Sequence, residues 1–182
     1  MKNPLIYGTM GLGKKLDYSP DKSYKKAVKA IEAALSINIK TFDFANIYQD
    51  GNSEKVFGKY LKENKSLRKK IKIQSKVGIE LNHNNPWKNK YNFSAKHLIT
   101  EVHSILERLN IDYLDCLFLH RYDPIFDLEE LTNAINQIKK EGLAKNFGVS
   151  NMNYHQIKLL EKVTGIILKL IKWRWIFLNS IG

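Results

Sequence analysis

The stretch TFDFANIY at residues 41–48 begins as a buried strand, and the loop QDGNSE at 49–54 follows it. Asp43 stands inside its apolar part. A carboxylate at the end of a core strand is costly unless a partner offsets it. The strand must therefore meet a cation in the core, and Tyr48 follows closely enough to share that place.

Outward from this stretch, strand and helix patterns alternate. LIYGTM at 5–10 has strand character, and KAVKAIEAALSIN at 26–38 is a helix with Ala27, Val28, Ile31, Ala34 and Leu35 on one face. TFDFA at 41–45 is a strand, SEKVFGKYLKEN at 53–64 a helix, and KIKIQSKV at 70–77 the next strand. A long loop, GIELNHNNPWKNKYNF, leads to Ser94, which is placed to cap a helix burying Leu98, Val102, Ile105 and Leu109. YLDCLFLH at 113–120 is a nearly continuous apolar strand. Asp127 and Glu130 form a capping-box-like start to a helix ending near Gly142; KNFGVS at 145–150 is a strand and YHQIKLLEKV at 154–163 a helix.

Strands of this kind, buried on both faces and alternating with helices, call for a parallel sheet covered by helices. Two solutions compete: an open doubly wound sheet and a closed eight-stranded barrel. A dinucleotide-binding open sheet needs G-x-G-x-x-G between its first strand and a helix. Here the glycines of GTMGLGKK fall at 8, 11 and 13, which is the wrong spacing. Polar residues instead end successive strands: Asp43, Lys76, His120, then Ser150 with Asn151. In a barrel those ends converge on one mouth.

Asp43 and Lys76, from adjacent parallel strands at one level, are predicted to pair, with Tyr48 leaning over them and His120 on the following strand. A phenol titrates near ~10, too high for efficient proton donation at neutral pH, but an adjacent ammonium stabilises the phenolate. Tyr48 then suits a general acid. A neutral, donating His120 suits the same substrate oxygen, much as an oxyanion hole does.

The ordered text GTMGLG (8–13), TFDFANIY (41–48), IQSKVG (73–78), LFLHRYD (117–123) and FGVSN (147–151) resembles the aldo-keto reductase family. The arginine after the histidine in LHRYD resembles the family's bacterial oxidoreductases. The resemblance implies a (β/α)8 TIM barrel and hydride transfer from NADPH to an aldehyde or ketone, giving an alcohol. It implies a catalytic tetrad of Asp43, Tyr48, Lys76 and His120. Gly8, Thr9 and Met10 are implied at the cofactor, with Ser150 and Asn151 on the nicotinamide carboxamide.

The chain departs from that pattern in length and tail. Such barrels need about 250 residues, and this chain has 182. The expectation is an incomplete barrel of five to six β/α units: residues 1–165 as its N-terminal part, and 166–182 as an atypical tail in place of strand six. Lys172, Trp173, Arg174 and Trp175 occupy the place where the family carries an Asn-Gln pair, and alternation breaks in IILKLIKWRWIF. Strands seven and eight, with the grip on the cofactor's adenosine phosphate, are expected to be absent, either through a change of reading frame near residue 166 or because another chain completes the barrel. The open sides could also associate with another copy. The alternative is a noncatalytic remnant or a binding subunit of the same fold.

Composition bounds the rest. With 43% hydrophobic residues the chain suits a globular core, not disorder. The net charge of +12 comes from scattered lysines without aromatic interleaving, so no nucleic-acid partner is expected. The start MKNPLIYGTM has no signal-peptide apolar region, and no run of about 18 apolar residues spans a bilayer. A cytoplasmic, membrane-free protein is the expectation, in keeping with the lone cysteine, Cys116. His83, His97, His103 and His155 show no metal-ligand spacing, so no metal is expected. Trp87, in the loop after the third strand, is a candidate for the mouth's lining.

Overall fold

In chain order the elements are β1 (Ile6–Gly8), α1 (Pro20–Ser36), β2 (Thr41–Asp43), α2 (Asn52–Glu63), β3 (Lys72–Val77), β4 (Ile79–Glu80), β5 (Lys90–Tyr91), α3 (Ala95–Leu109), β6 (Cys116–Leu119), α4 (Leu128–Lys140), β7 (Phe147–Ser150), α5 (Tyr154–Thr164) and β8 (Leu170–Lys172). The computed structural model describes residues 5–14, 20–82, 84–85, 88–165, 168 and 170–172. Trp87, His83 and the Trp173–Trp175 part of the tail lie outside these described residues.

Six strands form one sheet in the order β1-β2-β3-β6-β7-β8, every neighbouring pair parallel. The order follows the chain and never reverses. A doubly wound sheet reverses at its switch point, whereas a barrel winds in one direction, so the topology is that of the (β/α)8 barrel class. β1 and β8 each have a single neighbour among the described strands.

Helix ends follow local chemistry. The Ser94 side chain accepts from the His97 amide at the start of α3, and Asp127 accepts from the amides of Glu129 and Glu130 at α4. The reciprocal capping box lies one helix later, at α5, between Asn153 and Gln156. α1 starts six residues earlier than its apolar stripe suggests, with Pro20 in its first turn, where a missing N–H costs nothing.

One feature was not anticipated. A small antiparallel hairpin, β4 with β5, stands inside the long loop after β3. The broken alternation around residue 170 does not prevent a sixth strand, because Leu170–Lys172 pairs with Gly148–Ser150 in parallel register. Backbone pairing sets that strand, and inner barrel strands need no strict alternation.

The core is contiguous, with Phe42, Phe44 and Phe57 at its centre and ring centroids 4.8 Å and 5.0 Å apart for the Phe42–Phe57 and Phe44–Phe57 pairs. α2 crosses α3 very closely at Gly58, where a Cβ would meet the Arg108 carbonyl oxygen at 2.1 Å. Among the described residues no helix is long and apolar enough to cross a membrane.

Candidate active site

Parallel pairing sets β2 opposite β3 so that Asp43 faces Gln74. The expectation that Asp43 and Lys76 stand at one level is therefore corrected: Lys76 lies two residues further along β3, on the same side as Gln74. Its four-carbon stem reaches back. Nζ lies 3.0 Å from Asp43 Oδ2 and 2.7 Å from the Phe44 carbonyl oxygen. It also lies 3.1 Å from Tyr48 Oη. The other carboxylate oxygen, Oδ1, accepts from Gln74 Nε2 at 3.2 Å.

The Lys76 side chain is 4% exposed and that of Asp43 13%, so the pair is largely out of water. Burial pushes the Lys76 ammonium below the ordinary lysine range, and the Asp43 charge opposes that shift most strongly. The carboxylate is thus what makes a buried ammonium tenable beside Tyr48.

Tyr48 is aimed by an unusual turn. Gln49, Asp50 and Gly51 follow it with φ of 51°, 58° and 76°, three left-handed residues in a row. For the two non-glycines this costs about 1–2 kcal/mol each. Local bonds hold the turn: the Tyr48 amide donates to Ala45 O at 2.9 Å, and Gln49 Nε2 donates to Met10 O at 2.9 Å. Across the mouth the Tyr48 and His120 rings stand edge to face, centroids 6.3 Å apart. The His120 amide donates to Val77 O at 2.9 Å, which fixes the end of β6 to the end of β3.

Ser150 and Asn151 close the row. Ser150 is buried, and Asn151 adopts a left-handed φ of 56° that turns its amide back, so that Nδ2 donates to Ser150 Oγ at 2.8 Å and to His120 O at 3.4 Å. A hydroxyl beside a carboxamide can both donate and accept. That donor set fits the carboxamide of a nicotinamide.

These side chains line one open cavity of about 520 Å³, together with Met10, Ile47, Gln49, Ile79 and Arg121. All four tetrad residues thus meet at one place. Gly8 and Thr9 are not part of the lining. The amide and Oγ1 of Thr9 both donate to Asp43 O, at 3.0 Å and 2.9 Å, tying β1 to the end of β2.

Behind the site lies a cluster the sequence reading did not single out. Glu54, fully buried on α2, accepts from Ser75 Oγ at 2.8 Å and from Arg108 Nε at 2.7 Å. Ser75 is the residue before Lys76. Burial pushes the Glu54 carboxyl above its ordinary range despite the Arg108 charge. A signal was available: Glu54, Phe57, Gly58 and Leu61 share the buried face of α2 at helical spacing. From the sequence Arg121 is only the mark of the bacterial form of the LHRYD motif, with no role at the site.

The profile of the aldo/keto reductase family matches residues 4–176, nearly the whole chain. The chain belongs to the aldo/keto reductase family. It is 38% identical over 136 residues to the uncharacterized oxidoreductase YcsN of Bacillus subtilis, covering 72% of this chain and 45% of that protein. It is 34% identical over 160 residues to the 6-dehydroglucose reductase of Agrobacterium fabrum, covering 86% of this chain and 52% of that one. The holo form of aldo-keto reductase AKR11C1 from Bacillus halodurans superposes with a TM-score of 0.79 at 26% identity, over 94% of this chain and 53% of its own. The chain thus spans about half the length of the relatives it matches.

Proposed function

We propose that the mouth reduces an aldehyde or ketone to an alcohol, with Tyr48 as the proton donor and NADPH as the source of the hydride. One observation carries the reading: Lys76 Nζ lies 3.1 Å from Tyr48 Oη while Asp43 Oδ2 holds it at 3.0 Å from the other side. An ammonium so placed favours the phenolate that proton donation leaves behind, which is the condition for a phenol to act as an acid near neutral pH. His120 faces the same space and orients the carbonyl oxygen.

A bound nicotinamide supplies the hydride. Ser150 and Asn151 would hold its carboxamide at the rim of the mouth. The carbonyl carbon gains the hydride and its oxygen gains the Tyr48 proton, so the substrate is reduced by two electrons. Asp43 keeps Lys76 charged and in place. The phosphorylated cofactor follows from the family resemblance. Within the same proposal residues 1–165 are the N-terminal part of the barrel and 166–182 a divergent tail. The outer edges of β1 and β8 are where copies would self-associate.

Fluorescence titration with NADPH and with NADH, beside turnover of an aromatic aldehyde, tests the reading. Saturable binding that favours NADPH is expected, with turnover falling at least about 100-fold in Tyr48→Phe while binding persists. Equal turnover in Tyr48→Phe would remove Tyr48 from the chemistry.

A further inference from the structure

The charged groups of the cavity are Asp43, Lys76 and Arg121. The first two neutralise one another at 3.0 Å. Arg121 makes no hydrogen bond or ion pair among the described residues, and it is half-buried on the cavity wall. The mouth therefore presents one uncompensated guanidinium. Its backbone is fixed, because the preceding residue, His120, donates its amide to Val77 O at 2.9 Å.

A half-buried arginine that no carboxylate among the described residues answers is poised for an anion from outside. Its planar fork matches a carboxylate with two parallel hydrogen bonds. We propose that Arg121 is a specificity-determining residue that binds the carboxylate of a small oxo-acid substrate. This rests on the carbonyl-reductase reading of the same mouth.

Position argues for the substrate over the cofactor's pyrophosphate. Arg121 directly follows His120, the residue facing the reacting oxygen, and consecutive Cα atoms are about 3.8 Å apart. Ser150, which ends the next strand, β7, and Asn151 just after it fit the nicotinamide end. An anion held by Arg121 is then only a short carbon chain from the carbonyl. Short aldehydes with a terminal carboxylate meet that geometry, and neutral aldehydes of equal length do not use it.

The test compares succinic semialdehyde with butyraldehyde as substrates of the full chain and of Arg121→Gln, with NADPH affinity measured by fluorescence in both. Succinate binding without turnover is followed in parallel by ligand-observed NMR. The ratio of kcat/KM for the acid over the neutral aldehyde is expected to fall about 10–100-fold in Arg121→Gln. Succinate binding should be lost in the same variant. An unchanged ratio overturns the proposal, as does weakened NADPH binding with an unchanged ratio, which would assign Arg121 to the pyrophosphate. If neither aldehyde is turned over, the reductase reading fails and the NMR arm decides Arg121 alone: succinate binding retained in Arg121→Gln overturns its role.

Discussion

Lys76 holds three acceptors at once, Asp43 Oδ2, the Phe44 carbonyl and Tyr48 Oη, and it does so with a side chain only 4% exposed. Removing the ammonium takes from Asp43 its charged partner at 3.0 Å, while Gln74 Nε2 still donates to the other carboxylate oxygen. Lys76→Met is therefore expected to destabilise the fold by about 3–5 kcal/mol, the cost of breaking a buried pair from one side. Urea unfolding checks this, and a change under 1 kcal/mol would mean that water already solvates Asp43. The pairing itself was legible, because a carboxylate and an ammonium at the ends of apolar strands require one another. The offset between them was not. Asp43 faces Gln74, and no feature of one strand's sequence reveals which residue of its neighbour it will face.

Between elements, Gly58 of α2 lies tight against the Arg108 carbonyl of α3. Alanine has the better helix propensity by about 1 kcal/mol, yet a Cβ 2.1 Å from a backbone oxygen forces the helices apart. Gly58→Ala is expected to be destabilising by at least about 1–3 kcal/mol net, read as a lowered urea midpoint. The Glu54 cluster beside it makes a prediction in pH. Burial raises the folded-state carboxyl above 4.5, so the folded chain binds more protons than the unfolded chain in the window just above that value. The stability from this group is full below the unfolded value and is lost as pH rises through the folded one. Glu54→Gln should flatten that slope in thermal melts taken across the acidic range, and an identical slope in the variant would place the carboxyl's titration elsewhere. Elements with strong periodicity, such as α3 and α4, were readable from sequence. The β4–β5 hairpin was not: its Asn- and Lys-rich surroundings carry no alternation, and tertiary contacts decide whether two-residue strands form.

At the scale of the molecule, six parallel strands in chain order bring the ends of β2, β3, β6 and β7 to one mouth, and the fold is legible because each strand announces itself by one polar residue at that end. Cofactor binding should couple to the whole fold. At 100 times its Kd, NADPH is expected to stabilise the chain by about 2.7 kcal/mol, seen as a rise in Tm, and no shift at saturation would mean that binding does not engage the folded barrel. The proposed reaction is hydride and proton transfer at this mouth. Its most direct test is to supply NADPH deuterated at the transferring carbon and to follow the label into the alcohol by mass spectrometry. Deuterium is expected on the carbinol carbon with the natural chain and almost none with Tyr48→Phe. A folded, NADPH-bound chain that leaves the carbonyl unlabelled and unreduced would contradict it.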